Sequence, residues 1–428
     1  MNPIVPDAQL FRANRERLKK LMLRNSLAVL NANDVLPTNA DGTLPYIPNA
    51  DLFYLTGVRQ EETILVLAPD AFEEKHREVL FLRQPTEHLA TWEGHKLSRE
   101  EAQKISGVPH VQWLSAFPSV LHQLMCECEH VYLNTNEHHR AVVEVESRDA
   151  RFIKQCQARY PLHHYLRLAR LMHQLRVVKS PREIELIKAA CAVTGRGFRR
   201  ALQCVKPGVT EAELEAEFAR EFIRHHAGFA YPPIIAAGRN SCVLHYHQND
   251  QVCRAGQLVL LDVAAGRDQY QSDLTRTVPV SGRFTRRQRR VYQAVLRVFR
   301  QIVQAMQPGK TIRDLRVEAE ALIAQECFGL GLLKPAQLRR RDPDNPAVRK
   351  YFMHGVAHPI GLDVHDVMYV HQHIQPGWVL TCEPAIYLPD EGFGVRLENT
   401  IHVTDDGPVD LMADIPIEPD EIEDRLNR

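Results

Sequence analysis

The chain carries no net charge: 53 Lys and Arg residues are balanced by 53 Asp and Glu. With no global field of either sign, neither nucleic acid nor an anionic membrane is an expected partner. No run of about 18 apolar residues occurs, so no segment is expected to span a bilayer. The start, MNPIVPDAQLFRANRERLKKL, has no apolar core and turns charged quickly, which argues against a secretory leader. CxxC spacing is missing too. Of nine cysteines, only Cys126 and Cys128 lie close together, and the odd count suits reduced thiols in a cytoplasmic protein rather than a disulfide framework. What is present is ordinary: 44% hydrophobic and 25% charged residues over 428 positions give a globular chain of two or three domains.

Residues 1–172 alternate strand-like and helical stretches. The segment 11–23 is amphipathic and basic, 26–31, 63–68 and 78–82 read as buried strands, and 115–127 has helical periodicity. No catalytic constellation stands out here. A boundary falls near Leu175–Ser180, where Ser180-Pro181-Arg182-Glu183 supplies an N-cap, a proline at N1 and a glutamate at N3. The expected domains are therefore 1–172 and 173–428. In the second, Pro207-Gly208-Val209-Thr210 with Leu214 recurs at identical spacing as Pro308-Gly309-Lys310-Thr311 with Leu315. Each copy follows one long helical stretch and precedes another, which predicts a duplicated helix–loop–helix unit. The stretch 286–307 carries Val291, Val295, Val298, Ile302 and Met306 on one face. Arg339-Arg340-Arg341, beside Pro343 and Pro346, reads as an exposed loop.

Carboxylates mark the chemistry. In LVLLDVAAGRDQYQSDLTRT, Asp262 and Asp273 flank an expected turn at Arg267-Asp268; in VLTCEPAIYLPDEGFGVRLENTI, Glu383 and Glu398 flank one at Asp390-Glu391. Hairpins symmetric about those turns would set each pair directly cross-strand, with Cβ atoms roughly 5 Å apart. Like charges there repel, so something positive must sit between them. Between the hairpins in sequence lie His354, His358 and His365. His354 and His358 have helix-face spacing, but Gly355, Pro359 and Gly361 argue against a helix, so this is not an HExxH zinc arrangement. Four carboxylates and one imidazole suit hard divalent ions such as Mn²⁺, and two ions sharing a hydroxide make a nucleophile at neutral pH.

The order Asp, Asp, His, Glu, Glu within LLDVAAG, SDLTRTVPVSG, HGVAHPIGLDVHD, EPAIY and VRLENTI resembles the pita-bread metallopeptidases, aminopeptidase P (Xaa-Pro aminopeptidase) and its relative prolidase above all. PNADLFYLTG and the segment around Ala90-Thr91-Trp92 extend the resemblance into the N-terminal half. It implies an α/β (α+β) fold: a smaller N-terminal α/β domain, then a C-terminal pita-bread domain with an internal pseudo-twofold repeat. It places the metal ligands on Asp262, Asp273, His358, Glu383 and Glu398, with Glu383 also shuttling a proton. By the same resemblance His245 contacts substrate near the scissile bond, and His354 and His365 position it and stabilise the oxyanion. Tyr231 and Arg396 line the proline-side pocket, whereas His247, His371 and His373 match nothing. Two divalent ions are implied, Mn²⁺ foremost, with Zn²⁺ or Co²⁺ as alternatives.

The implied activity is release of the N-terminal residue from peptides with an Xaa-Pro start, by attack of a dimetal-bridging hydroxide. Prolidase, acting on Xaa-Pro dipeptides, is the alternative. A non-catalytic binding module on the same fold is less expected, because such relatives lose ligands and this chain has lost none. A homodimer or homotetramer built through the N-terminal domain is implied, with the Trp92 region reaching a neighbour's site. Ala385, Pro359-Ile360, Gln271-Ser272 and Asn399 depart from the family's usual residues and bear on pocket shape rather than on the ligand set.

Overall fold

Strand-forming and helix-forming stretches alternate throughout, and the chain divides between Arg176 and Val177 into two compact units. The computed structural model describes residues 6–339 and 346–428. The first five residues of the stretch read as lacking a leader, and Arg340 and Arg341 of the basic run, lie outside them. Arg339 ends the short helix Pro335–Arg339 rather than lying in a loop.

In the N-terminal unit six strands form one mixed sheet, ordered β4-β3-β2-β1-β5-β6. They are β1 (Ser26–Asn31), β2 (Ile64–Leu67), β3 (Glu78–Leu82), β4 (His110–Trp113), β5 (His130–Leu133) and β6 (His164–Arg167). β2 runs antiparallel to both β1 and β3, while β4, β5 and β6 pair in parallel. The chain therefore leaves β1, β3 and β5 at the same end of the sheet. The first three strands are buried along their whole length, as expected of strands covered on both faces. The helices Phe117–Glu127 and Arg148–Arg159 bring Leu121, Leu124, Met125 and Cys156 against Val29, Val66 and Phe81. The first helix, Ala8–Leu21, starts ahead of its amphipathic stretch because Asp7 accepts from the backbone of Gln9 and Leu10.

The C-terminal unit is built twice over. The helix Pro181–Leu202 starts at the Ser180 capping box, and Glu211–Arg224 starts at a second box formed by Thr210 and Glu213. Arg286–Ala305 and Ile312–Gly329 repeat the pair, with Thr311 and Asp314 as the box. The two PGxT loops match in backbone detail. Gly208 and Gly309 have φ of 95° and 91°, a conformation that glycine adopts without a steric penalty. Gly208 N–H donates to Cys253 O and Val209 O accepts from Cys253 N–H; Gly309, Lys310 and Ile374 make the same two bonds. Leu214 and Leu315 are buried, as are Val291, Val295, Val298, Ile302 and Met306.

Between the helix pairs lie β7 (Gly228–Phe229), β8 (Ile234–Ala237), β9 (Leu258–Asp262), β10 (Ala265–Arg267), β11 (Tyr270–Gln271) and β12 (Thr275–Pro279). After them come β13 (Val379–Cys382), β14 (Ala385–Leu388), β15 (Phe393–Arg396), β16 (Asn399–Thr404) and β17 (Gly407–Asp410). β9–β10 and β11–β12 form one long hairpin, and β13–β14 and β15–β16 another. The halves join where Glu398 N–H donates to Thr275 O at 3.0 Å.

This architecture predicts that Leu214→Ala and Leu315→Ala each cost about 2–5 kcal/mol, since each leaves a cavity in a sealed core. Thr210→Ala and Thr311→Ala, which each remove one cap, should cost about 1 kcal/mol. Urea unfolding of the four variants checks the ranking; a cap loss as large as a leucine loss would contradict it.

Candidate metal centre

Register decides which side chains meet. In the second hairpin Cys382 pairs with Asn399 and Ala385 with Arg396, so the ladders on either side place Glu383 directly opposite Glu398, as the sequence predicts. The first hairpin departs from expectation. Arg267 pairs with Tyr270, so the turn falls on Asp268 and Gln269, one residue later than expected. Both have positive φ, 52° and 69°, the form that fits the twist of a two-residue hairpin. Asp262 therefore pairs with Thr275, and Asp273 lies diagonally, two residues along on the same face. The two carboxylates still share a face, but not a rung.

The histidine segment is extended, not helical. Ile360 N–H donates to Val379 O, Thr381 N–H to His358 O and Glu383 N–H to Val356 O, so residues 356–360 lie alongside β13. That pairing delivers His358 to the carboxylates. Its Nδ1 is 3.0 Å from Pro359 O, which can only accept, so Nδ1 carries a proton and Nε2 is the nitrogen turned toward the carboxylates. Nε2 lies 3.5 Å from Asp273 Oδ2 and 3.8 Å from Glu383 Oε1. Asp273, His358 and Glu398 each offer a ligand atom within 4.8 Å of the others. Such spacing is too long for a strong hydrogen bond and suits donors that share a cation.

The electrostatics point the same way. Burial, followed by the nearby carboxylates Asp273, Glu383 and Asp262, pushes Glu398 well above the ordinary carboxylate range. Burial raises Glu383 to about 7 despite the opposing pull of His358. Burial also raises Asp262, against the pull of Arg396. For His358 burial disfavours the imidazolium, but Asp273 and Glu383 outweigh it and raise the ring's proton affinity. Tyr231 Oη lies 2.6 Å from Asp262 Oδ1 and 2.7 Å from Asp273 Oδ1, yet a phenol has one proton to donate. Arg396 donates to Asp262, giving four carboxylates one guanidinium. The cluster is short of positive charge, and its oxygen-rich donor set fits divalent cations.

Around this core sit residues the sequence reading missed. Thr275 Oγ1 donates to Glu398 Oε2 at 2.7 Å. Tyr387 is a hub: its hydroxyl accepts from Arg396 Nη1 at 2.7 Å and lies 2.9 Å from His354 Nε2. Counting in twos from Asp273 to Thr275, and from Glu383 to Tyr387, would have found both. Arg276, fully buried, donates to Thr275 O, Glu398 O, Asn399 Oδ1 and Pro416 O and so bolts the hairpins together from behind. Asn399 also donates to Asp410 Oδ2, which gives that departure from the family pattern a place in the framework. Gln271, another departure, donates through Nε2 to Leu362 O and through its backbone to Gly361 O. The buried ion pair Lys179–Asp366, 2.8 Å long, anchors the end of the histidine segment.

The other expected site residues fall as follows. His354 Nδ1 lies 2.7 Å from Gly355 O and 3.5 Å from Glu383 Oε2. His365 stacks on His358 with ring centroids 4.0 Å apart. Tyr231 and Arg396, expected along a proline-side pocket, direct their polar atoms at Asp262. His245 is exposed and stacks with His247 at 6.1 Å.

A buried, charge-deficient ring of carboxylates and one imidazole, carried on two pseudo-symmetric hairpins, defines a metal-dependent hydrolase of the pita-bread class. Residues 185–405 match the model of metallopeptidase family M24, and residues 11–132 match that of the aminopeptidase P N-terminal domain. The chain belongs to metallopeptidase family M24 and carries the N-terminal domain of the aminopeptidase P type. It is 34% identical to the Xaa-Pro aminopeptidase of Escherichia coli K12 over 97% of both chains. It is 33% identical to human Xaa-Pro aminopeptidase 3, covering 89% of this chain and 77% of that one. Among solved structures, Pseudomonas aeruginosa aminopeptidase PepP superposes with a TM-score of 0.90 at 29% identity over 99% of both chains. Zinc-substituted E. coli aminopeptidase P in complex with product does so with a TM-score of 0.86 at 32% identity, again over 99% of both.

The raised carboxylates set a pH dependence for the metal-free protein. Glu383 keeps its proton up to about 7 when folded, against an ordinary 4.5. Over that window the folded state binds more protons than the unfolded chain, so metal-free stability falls as pH rises. Metal must displace those protons, so the stabilisation it gives rises with pH. Thermal melts with chelator and with Mn²⁺, between pH 5 and pH 8, should diverge as pH increases; parallel curves would contradict this.

Proposed function

We propose that the chain is a dinuclear metal-dependent Xaa-Pro aminopeptidase, releasing the N-terminal residue from peptides with proline second. One observation carries this reading: buried Asp262, Asp273, Glu398 and His358 Nε2, with partly buried Glu383, converge from two hairpins and an extended segment on one under-compensated cluster. Those five residues would hold the ions, Mn²⁺ first among the divalent candidates. When bound, such ions supply Lewis-acid activation of water and of the scissile carbonyl. Metallopeptidase chemistry meets the demand of the imide bond before proline, which has no N–H for ordinary backbone recognition.

The protein's own groups do the rest. Glu383, between His354 and His358, takes the proton from the attacking water and returns it to the departing proline nitrogen. His354 is held by Tyr387 and Gly355, and His365 by its stack on His358, so both rings have a fixed direction from which to position substrate. His245 contacts the substrate from the segment after β8. Tyr231 and Arg396 brace Asp262, fixing one wall of the proline subsite. The relatives named Xaa-Pro aminopeptidase, matched over nearly their full length in E. coli, support the substrate class.

Hydrolysis of an Xaa-Pro-Yaa tripeptide and an Xaa-Pro dipeptide, with added Mn²⁺ and then with chelator, tests the reading. Chelator-sensitive cleavage of the tripeptide is expected; cleavage of the dipeptide alone would make the enzyme a prolidase. Glu383→Ala should lower kcat by at least about 10²-fold, the lower end for a lost proton-transfer group. Asp273→Asn should bind less metal as well as turn over more slowly. Full activity in the first, or unchanged metal content in the second, would sink the assignment.

A homodimer or homotetramer fits the exposed apolar side chains of the N-terminal unit. Ile47, Trp92, Val142 and Val145 are 71%, 73%, 84% and 77% exposed, and they follow β1, β3 and β5 at one end of the sheet. Sedimentation velocity should show an oligomer that Trp92→Glu weakens, and a monomeric wild type would refute it. A cytoplasmic setting fits nine unbridged thiols, and no helix among the described residues is long and apolar enough to cross a membrane.

A further inference from the structure

The carboxylate of Glu211 is fully buried, and every group within hydrogen-bond distance of it donates. Its Oε1 accepts from Ala237 N–H at 2.7 Å and from Asn240 Nδ2 at 3.2 Å. Its Oε2 accepts from Tyr246 Oη at 2.8 Å and from Gln251 N–H at 3.0 Å. Among the described residues no cationic side chain pairs with it. A carboxylate buried in this way is retained by its donors, and here all four donors belong to one stretch of chain, 237–251.

That stretch carries His245; its ends are tied by Arg239 to Pro389 O and by Asn249 to Ile235, Pro233 and Glu215, and Glu211 binds it between them. It runs from β8 through the short turn Gly238–Cys242 and, for the eight residues from Val243 to Asp250, has no helix or strand. Tyr246, buried beside the exposed His245, is its inward anchor. Burial, and then Glu211 itself, push the Tyr246 phenol far above its ordinary pKa, so it stays a donor. Its second contact, Asp250 Oδ1, is weaker at 3.3 Å. The start of the stretch is tied to the site hairpin, where Gly394 N–H donates to Ser241 Oγ at 2.7 Å, opposite Tyr387.

The internal repeat supplies an independent comparison. Glu211 is the first residue after the Thr210 cap, and its counterpart after Thr311 is Ile312. Both copies keep the cap, the glycine turn and the buried leucine. Only the copy whose loop bears His245 replaces an apolar residue with a buried acid. Helix initiation does not require that acid, because the second copy starts its helix without one.

We propose that Glu211 is a positioning residue for the reaction: it folds the 237–251 stretch around its carboxylate and so sets His245 at the substrate. This rests on the reading of His245 as a substrate contact. Glu211→Gln keeps size and shape but turns an amide N–H₂ toward one pair of donors, so at least one of the four bonds becomes a donor–donor clash.

The test compares Glu211→Gln, His245→Ala and the double variant as metal-loaded enzymes on an Xaa-Pro-Yaa tripeptide, with metal content measured in each. Glu211→Gln should lower kcat/KM by about tenfold or more, in line with the cost of small misplacements at a reacting centre, with metal content unchanged. If it acts through His245, the double variant is no slower than His245→Ala alone. Losses that multiply overturn the proposal, as does a wild-type rate in Glu211→Gln. A wild-type rate in His245→Ala overturns the reading of that histidine, and the proposal with it. Hydrogen exchange in the metal-free protein gives a second readout: 238–251 should exchange faster in Glu211→Gln while 354–366 does not, and equal exchange in 238–251 refutes the role. Tyr246→Phe, which removes one donor and keeps the ring, should show the same effects at smaller size should Glu211→Gln fail to fold.

Discussion

Everything in the C-terminal unit answers to one constraint: four carboxylates are held together, three of them buried and Glu383 at the edge of the cluster. Isolated, each would be driven to take up a proton, and Glu383, Glu398 and Asp262 are all pushed in that direction. One guanidinium, one phenol proton and one imidazole do not balance the set. The remaining deficit is an affinity for divalent cations, created by folding and absent from the unfolded chain. The framework must therefore be stiff enough to keep mutually repelling groups in place. Arg276, clamped on backbone carbonyls of both hairpins, and the Lys179–Asp366 pair beneath the histidine segment meet that need without touching the cluster.

The pseudo-twofold repeat gives the cluster its near-symmetry, and register breaks it. One hairpin turns on Asp390 and Glu391 and sets Glu383 against Glu398 on a single rung. The other turns on Asp268 and Gln269, which offsets Asp262 from Asp273 and places Thr275 opposite Asp262. That threonine then becomes the bridge between halves, its backbone carbonyl bonded to Glu398 N–H and its hydroxyl to the Glu398 carboxylate. The same asymmetry shows at the helix starts, where Glu211 stands in one copy and Ile312 in the other.

Much of this was legible in the residues. Capping boxes at Ser180, Thr210 and Thr311 announce helix starts because their chemistry is local. Buried strands show as unbroken apolar runs, and the carboxylates stand out because charge in such runs needs a reason. Tyr387, Thr275 and Arg276 did not stand out. A tyrosine, a threonine or an arginine in a strand has many uses, and only a partner distant in sequence reveals which one applies. Arg276 reads as an ordinary outward-facing strand residue until Pro416 O and Glu398 O are seen to close around it. Glu211 reads as routine acid in a first helical turn, where the macrodipole favours it, and its burial under Tyr246 and Gln251 is invisible.

The sequence by itself determined the inventory: the two-domain order, the duplicated helix pairs, the two carboxylate pairs with three histidines between them, and the extended run of the histidine segment, since Gly355, Pro359 and Gly361 argue against a helix there. Each of these follows from short-range rules of capping, periodicity and charge. Only the tertiary structure decided the geometry. A one-residue shift of a turn moved Asp262 from Asp273 to Thr275, because a two-residue turn with positive φ at both centres matches strand twist better than its neighbour in sequence. The pairing of residues 356–360 with β13 decided which imidazole nitrogen faces the carboxylates. Those choices depend on atoms far apart along the chain, and folding alone brings them together.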